Sequence, residues 1–256
     1  MSSLASRIAA TKNKKTKFIL SAGLRFGGKT ASLGTLPGKT LLAIVGNKES
    51  GAEGAIKVAA ENGNTIDVVD VIDGEDVLAV AREALEAGYD NVAVDGFSAL
   101  SEAEAEKPKI KKMLNAGGTS VFGGWRAIGN ELIALIQGLK DLSAEYNKPV
   151  VLTMALKDPK ADATGNLAPL EADCQGNMAL SFIKGRCPYY VCSREATDKD
   201  GKSVYVLQTT PDDLYAARLD GVLAKDLPKG FRCQKEKVEE GQPVGFAALL
   251  NFLENY

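Results

Sequence analysis

The chain contains no histidine, and this absence alone excludes several classes of catalytic and metal site. Catalytic triads and dyads built on an imidazole are excluded, as are most zinc and iron centres. Cysteine is scarce, and the four residues Cys174, Cys187, Cys192 and Cys233 lack the Cys-x-x-Cys spacing of common metal sites. We expect reduced thiols, with a zinc site made of all four cysteines as the alternative.

Long apolar runs and a strong net charge are absent too. The basic N-terminal sequence MSSLASRIAATKNKKTK has no apolar stretch of the about 7–15 residues found in secretory signals. No segment approaches the about 20 apolar residues of a membrane span. The formal net charge is only −2, so contacts with nucleic acid would have to come from local basic patches. We expect a cytoplasmic protein without a membrane partner.

What the chain does contain is an alternation of apolar, strand-like runs and amphipathic helices. The predicted strands cover residues 17–22, 41–45, 66–71, 91–97 and 149–154. A helix that Asp73 caps ends at Gly88, and a longer helix with one apolar face covers residues 125–146. This alternation predicts an α/β fold with a mostly parallel sheet and helices on both faces.

The later part of the chain completes this predicted organisation. The sequence DKDG separates two strand-like runs, residues 189–194 and 204–209, and predicts an antiparallel hairpin at one edge of the sheet. A last helix is predicted over residues 246–253. We therefore expect a basic N-terminal segment, residues 1–16, followed by a single domain, residues 17–256.

Residues 23–30, with the sequence GLRFGGKT, have the spacing of a phosphate-binding loop. In such a loop, backbone N–H groups surround the phosphates, the lysine reaches the β and γ oxygens, and the hydroxyl that follows binds Mg²⁺. A predicted strand precedes the loop and a helix can follow it, as the motif requires. The predicted binding residues are Gly23, Gly27, Gly28, Lys29 and Thr30, of which Thr30 would also bind the metal.

A second Gly-Lys-Thr, in residues 34–40 (GTLPGKT), matches the motif less well. Only three residues separate its first glycine from Gly-Lys, a strand follows it, and Pro37 has no N–H to offer a phosphate. We interpret it as a turn into the next strand. For the first copy the alternative is an ordinary glycine turn before a helix, which the bulky Leu24, Arg25 and Phe26 favour.

Two acidic residues stand at or just after the ends of predicted strands. Asp95, in NVAVDGF, lies where the Mg²⁺-side acid of a nucleotide site is required, and capping of the next turn is the alternative. Gly96 stands where ring-forming AAA+ ATPases usually carry a glutamate. Glu49 follows LLAIV and is therefore the candidate for activating water, with a solvated loop carboxylate as the alternative.

The order of these elements, GLRFGGKT, LLAIVGNKE, NVAVDGF, a long helix and VVLTM, resembles the RecA-like ATPase core. From VYVLQTTPDDLYAARLDGVL onward the chain is similar to the small phage-encoded RecA-like ATPases grouped as single-strand annealing proteins, and the resemblance covers residues 15–230. It implies a RecA-like P-loop NTPase core with ATP and Mg²⁺ as cofactors, and catalytic roles for Lys29 and Glu49. It also implies self-association into a ring or filament. The implied partners are single-stranded DNA and a single-stranded DNA-binding or other recombination protein, in the host cytoplasm if the chain is phage-encoded.

The resemblance further implies DNA-contacting loops at residues 101–124 and 157–170. Lysine charges in the first loop would make DNA binding salt-dependent and nearly independent of sequence. A solvated lysine run is the alternative, and no aromatic residues interleave the lysines for base stacking. The loop contains Lys107 and the candidate DNA-binding residues Lys109, Lys111 and Lys112.

Two features concern the γ-phosphate. The strand VVLTM departs from the family because it lacks the usual glutamine or histidine sensor. Either Thr153 or Lys157 would substitute for this sensor, or the coupling between ATP and DNA would be altered. Arg218, in YAARLDG, is a candidate for action in trans across a subunit interface. A surface ion pair of Arg218 with Asp213 or Asp220 is the alternative.

Together these observations predict an ATP-hydrolysing protein that binds single-stranded DNA and promotes annealing or recombination as an oligomer. One alternative is a low-turnover nucleotide-binding module with a regulatory or assembly role, which the bulky loop and the missing sensor favour. Another is a packaging or helicase-type motor, for which the sequence shows no additional domain. A purely structural protein would require both phosphate-site elements to be accidental.

Overall fold

The computed structural model describes residues 16–46, 49–160, 167–168, 170–175, 186–235 and 238–256, except for the side chains of residues 49 and 50. The strands in these ranges are β1 (Phe18–Gly23), β2 (Lys39–Val45), β3 (Thr65–Val71), β4 (Asn91–Asp95), β5 (Val150–Ala155), β6 (Tyr189–Thr197), β7 (Ser203–Gln208), β8 (Arg218–Leu219) and β9 (Gly230–Arg232). The α-helices are α1 (Lys29–Ser32), α2 (Glu49–Glu61), α3 (Gly74–Glu86), α4 (Phe97–Glu106), α5 (Pro108–Asn115), α6 (Thr119–Tyr146) and α7 (Gly245–Asn255).

All of these strands belong to one sheet, in the order β3-β2-β4-β5-β1-β6-β7-β9, with β8 paired to β6. From β3 to β6 every neighbouring pair is parallel. The pairs that β7, β8 and β9 add are antiparallel. The predicted α/β fold, its mostly parallel sheet and its antiparallel hairpin are therefore confirmed. Strand β5 separates β1 from β4, so the two strands that carry the predicted phosphate-site elements are not direct neighbours.

The sheet lies between two hydrophobic layers, because its central strands are apolar on both faces. All of β1 is buried, with Phe18 and Leu20 in one layer and Ile19 in the other. Helices α3 to α6 cover the first layer, and α2 and α7 cover the second. The long helix α6 packs through a stripe of buried residues with helical spacing, which are Ile128, Leu132, Leu135, Ile136 and Leu139.

Several predicted boundaries are close to those observed. Asp73 caps α3 as expected, because the Asp76 backbone N–H donates a 3.0 Å hydrogen bond to the Asp73 carboxylate. The strand predicted over residues 91–97 is shorter, since it ends at Asp95 and Phe97 already begins α4. The positive φ of Gly96, 120°, allows the chain to turn directly from the strand into the helix.

The loop predicted over residues 101–124 is wrong, since α4, α5 and the first turns of α6 occupy it. Its charged composition concealed the apolar face of α4, on which Leu100 and Ala105 are buried. The glycine-rich part is only a short connection, in which Gly117 and Gly118 adopt positive φ between α5 and α6. The sequence also gave no prediction for α2.

Parts of two other predictions lie outside the described residues. The basic segment predicted over residues 1–16 is described only at Thr16. In the loop predicted over residues 157–170, the described residues form no helix, and Leu156 just before it forms an isolated bridge with Ala172. Among the helices that the structure describes, none is long and apolar enough to cross a membrane.

Candidate functional site

The GLRFGGKT loop begins at the carboxyl end of β1 and fits closely against the neighbouring hairpin. A side chain on Gly23 would collide with the backbone oxygen of Ser193 on β6. A Cβ on Gly28 would lie 2.6 Å from Cδ1 of Tyr205 on β7, and Gly28 has a φ of 76°. Gly27 is also confined, with a Cβ position 3.1 Å from the Ser193 oxygen. Space therefore favours glycine at all three positions, and backbone conformation requires it at Gly28.

Lys29 is half-buried and turned toward its own loop. Its Nζ donates a 2.6 Å hydrogen bond to the carbonyl oxygen of Leu24. Burial lowers the pKa of Lys29 from its ordinary value, and the Asp95 carboxylate partly opposes that shift. The loop thus holds a partly desolvated ammonium group, which an anion could stabilise effectively.

The next residue, Thr30, contacts the acid predicted to serve the metal. Its Oγ1 donates a 2.6 Å hydrogen bond to Oδ2 of Asp95, at the end of β4. The other carboxylate oxygen, Oδ1, accepts a short hydrogen bond from the hydroxyl of Thr153 on β5. The Thr153 oxygen in turn accepts a 3.1 Å hydrogen bond from the Gly96 N–H. The intervening strand β5 therefore fixes the orientation of the acid that meets the loop.

The first turn of α2 lies beside this pair. A Cβ on Gly51 would be 3.5 Å from Cγ2 of Thr30 and 3.8 Å from Oδ2 of Asp95. Glu49 is the first residue of α2, two positions earlier, and its side chain is outside the described part of the structure. The helix therefore begins next to the site, while the catalytic role of the Glu49 carboxylate stays a prediction.

The second Gly-Lys-Thr lies elsewhere. Lys39 begins β2, so it is at the amino edge of the parallel strands, whereas Lys29 follows the carboxyl end of β1. The Lys39 Nζ is 2.9 Å from Asp67 Oδ2 and 4.2 Å from the centre of the Tyr89 ring. Its hydrogen bond to Asp67 raises the pKa of Lys39. The interpretation of this copy as a turn into a strand is confirmed.

The candidate DNA-binding lysines lie on a helix instead of a loop. Lys109, Lys111 and Lys112 are exposed on α5, and Lys111 forms a 2.5 Å ion pair with Glu106. Lys107 has a different role, because its Nζ is 2.8 Å from Oε2 of the buried Glu104 and 3.4 Å from Asp73. Lys107 therefore balances a buried carboxylate and joins α3 to α4.

Arg218 and Lys157, the residues considered for the γ-phosphate, both have partners in the described structure. The Arg218 Nε is 2.9 Å from Oδ1 of Asp220, and its Nη2 donates a 2.6 Å hydrogen bond to the Cys187 carbonyl. The alternative to a trans-acting Arg218, an ion pair with Asp220, is thus observed within one chain. Lys157 lies 3.7 Å from Glu171 at the surface.

Metal binding by the cysteines is not supported. The structure describes all four, as free thiols. Burial raises the pKa of Cys174 to about 11 and the pKa values of the other three to about 12, so these thiols are protonated at neutral pH. Within the described ranges no group of three or more cysteine, aspartate or glutamate residues could hold a metal. The four-cysteine zinc alternative is therefore wrong.

The geometry thus brings together Lys29, Thr30 and Asp95 at the carboxyl edge of the sheet. No protein-family model matches the chain, and no curated protein matches it. The chemistry of the site is accordingly argued from its own atoms.

Sequence reasoning missed the side chains that pack the loop against the β6–β7 hairpin. The Ser193 hydroxyl lies 2.9 Å from that of Ser21 on β1 and 3.4 Å from that of Ser32 on α1. These buried hydroxyl groups join β1, β6 and α1, and Tyr205 packs against Gly28 from β7. A small polar residue within the apolar run KFILSA was the only local signal, because the partners are far away in the chain.

Proposed function

We propose that this chain is a RecA-like ATPase that binds ATP and Mg²⁺ at the GLRFGGKT loop, hydrolyses ATP and acts on single-stranded DNA as an oligomer. The observation that carries the nucleotide site is the 2.6 Å hydrogen bond between Thr30 and Asp95, which are 65 residues apart in the chain. An ordinary glycine turn would not require its hydroxyl residue to meet an acid at the end of another strand. The position of β5 between β1 and β4 supports the RecA-like arrangement.

The residues present fit a nucleotide with its magnesium ion. The oxygens of Thr30 and Asp95 are hard donors, and Mg²⁺ commonly takes only one or two protein ligands beside phosphate and water. When bound, Mg²⁺ would be held by Thr30 and Asp95 and would neutralise charge on the phosphates. Lys29 would exchange the Leu24 carbonyl for phosphate oxygens, which are stronger acceptors for its ammonium group. The Thr153 hydroxyl orients the Asp95 carboxylate through its hydrogen bond to Oδ1.

In the hydrolysis step we assign Glu49 to the attacking water, because α2 begins beside Thr30 and Asp95. The carboxylate would orient the water and accept its proton as the oxygen bonds to the γ-phosphorus. The bond from that phosphorus to the β–γ bridging oxygen breaks, and ADP leaves. Lys29 stabilises the charge that develops on the phosphate oxygens.

The DNA-binding part of the proposal rests on the resemblance and on exposed charge. Lys109, Lys111 and Lys112 lie on α5, which follows the helix that begins directly after Asp95 and Gly96. Lysines so placed can contact backbone phosphates without reading sequence. In a ring or filament Arg218 would have to leave Asp220 before it could act on a neighbouring subunit. A single-stranded DNA-binding or other recombination protein is the proposed partner, in a host cytoplasm.

A second candidate is a nucleotide-binding module with low turnover. The observation that favours it is at β5, where Thr153 is buried and engaged with Asp95, and therefore not free to sense the γ-phosphate. Such a module would bind ATP tightly while hydrolysing it slowly. The ratio of turnover to affinity distinguishes the two functions.

The test compares Lys29→Ala with Lys39→Ala in steady-state ATP hydrolysis, with and without single-stranded DNA. Each lysine is the middle residue of a Gly-Lys-Thr tripeptide, but Lys29 lies at the carboxyl edge of the parallel strands and Lys39 at the amino edge. Lys39→Ala is therefore a matched control. We expect Lys29→Ala to abolish turnover and Lys39→Ala to retain it, with stimulation by DNA. Equal loss from both substitutions would refute the loop assignment. Tight ATP binding without turnover in the unsubstituted protein would favour the low-turnover module.

A further inference from the structure

Helices α5 and α6 form a hairpin that brings together two segments with different side chains. A Cβ on Gly124 would lie 2.7 Å from Cδ2 of Leu114, and a Cβ on Gly123 would lie 3.8 Å from Sδ of Met113. The small residues of α6 therefore permit close packing against the end of α5. The lysines of α5 and the aromatic residues of α6 consequently belong to one structural unit, although they are separate in the sequence.

Two aromatic rings are exposed on the part of α6 that packs against α5. Phe122 is 76% exposed and Trp125 is 41% exposed. They are three residues apart on a helix, and Arg126 follows Phe122 by four, so the three side chains share one face. Phe122 lies mostly in water and contributes little to folding, and its exposed ring beside the partly exposed Trp125 indicates a binding surface.

The first part of the hairpin, up to Arg126, is positively charged in a chain whose net charge is −2. Residues 108–126 contain Lys109, Lys111, Lys112 and Arg126 and no acidic residue. Lys111 is paired with Glu106. Among the described residues, no ion pair involves Lys109, Lys112 or Arg126. The hairpin therefore carries cations that are available to an anionic partner.

We propose that Phe122 and Trp125 stack on bases of single-stranded nucleic acid whose phosphates contact Lys109, Lys112 and Arg126. Rings beside cations match a single strand, because its bases expose their faces and its backbone is anionic. A duplex hides those faces in its own stack, and an apolar protein surface would leave the cations without partners. This inference rests on the proposed function and names the residues and the kind of contact.

The test uses Trp125 as its own reporter, since it is the only tryptophan in the chain. Oligo(dT) is titrated into the full chain at fixed salt while intrinsic fluorescence is recorded, and labelled oligo(dT) gives affinities by anisotropy in parallel. We expect saturable quenching by oligo(dT) and little quenching by a duplex of equal length. Phe122→Ala should weaken binding by roughly 5- to 100-fold, whereas Phe122→Tyr should bind like the unsubstituted chain.

Two controls separate the ring contacts from other causes. Leu223→Ala removes another exposed apolar side chain, 58% exposed, outside the hairpin and should leave affinity unchanged. Lys112→Gln should weaken binding and reduce the slope of log affinity against log salt by about 0.7. Circular dichroism establishes that each variant is folded.

Three outcomes would overturn the inference. Binding of oligo(dT) without quenching and without an effect of Phe122→Ala would show that DNA binds elsewhere, while ATP turnover stimulated by that DNA would leave the proposed function standing. A change of mass in solution on Phe122→Ala, with unchanged affinity, would make the rings a contact between copies. Absence of both oligo(dT) binding and ATP turnover in the unsubstituted protein would refute the proposed function as well.

Discussion

Replacement of Gly28 by alanine tests the close contact between the phosphate loop and the β6–β7 hairpin. Gly28 has a φ of 76°, and an added Cβ would lie 2.6 Å from the Tyr205 ring. Gly201, in the turn of the same hairpin, also has a φ of 76°, but an added Cβ there meets nothing within 4 Å. The two glycines therefore share the backbone conformation and differ in the available space.

The expected magnitudes follow from these two terms. A left-handed conformation destabilises the folded alanine variant by about 1–2 kcal/mol. Alanine also reduces the conformational entropy of the unfolded chain, which stabilises the fold by about 0.4–1 kcal/mol. Gly201→Ala should therefore lower the free energy of unfolding by roughly 1 kcal/mol. Gly28→Ala adds overpacking against Tyr205, about 1–3 kcal/mol, so its total loss should be roughly 2–4 kcal/mol.

Urea unfolding of both variants without nucleotide measures this difference, and a Tyr205→Ala background identifies its source. Removal of the ring should reduce the cost of Gly28→Ala to that of Gly201→Ala, since only the backbone term then remains. The ATP affinity of Gly28→Ala should fall as well, because the loop must shift. Equal losses for the two glycine variants in the presence of Tyr205 would refute the packing of the loop against β7.

Three further predictions concern the Thr153–Asp95 contact, Lys29 and the buried cysteines. Thr153→Val should lower the free energy of unfolding by about 1–3 kcal/mol, because it leaves the Gly96 N–H and one Asp95 oxygen unpaired, and should raise the Mg²⁺ concentration for half-maximal turnover. Burial lowers the pKa of Lys29, so ATP affinity should fall as pH rises through that lowered pKa, before an ordinary lysine would titrate, and Lys29→Arg should remove this dependence. Stability has the opposite sign: the unfolded chain binds more protons between the lowered pKa and 10.5, so the Lys29 contribution to unfolding free energy rises with pH in that range. The three buried cysteines, with pKa values raised by burial to about 12, should react with iodoacetamide at pH 8 on the order of 1000-fold more slowly than in urea, and rapid native labelling would contradict their burial.

The sequence was informative where a structural rule acts locally. The strands predicted over residues 17–22, 41–45, 91–97 and 149–154 are centred on apolar runs, because strands covered on both faces need no polar side. The edge strand β3 differs, since it contains Asp67 and Asp70 and is only partly buried. The meeting of Thr30 with Asp95 was expected for a similar reason, since carboxyl ends of parallel strands share one edge. Spacing and a following strand also sufficed to separate Lys29 from Lys39.

The sequence failed where a contact joins distant segments or where charge hides an apolar face. Helices α4 and α5 were missed because exposed charged residues alternate with their buried apolar residues, such as Leu100 and Ile110. Packing of Tyr205 on Gly28 and the hydroxyl contact of Ser21 with Ser193 depend on which strands are neighbours. No local pattern contains that information. The same holds for the aromatic residues of α6, which join the lysines of α5 in one structural unit only through the packing of the two helices.

The position of β1 within the sheet has a consequence for synthesis on the ribosome. Although β1 is the first strand that the structure describes, its two neighbours are β5 and β6, which pair with it from Val150 and Tyr189 onward. A nascent chain that has emerged only to α6 has the complete loop sequence but neither strand beside it. Since chains elongate at about 5–20 residues per second, the loop waits on the order of ten seconds or more for these partners. The GLRFGGKT loop is therefore translated well before the two strands that hold β1 in the sheet.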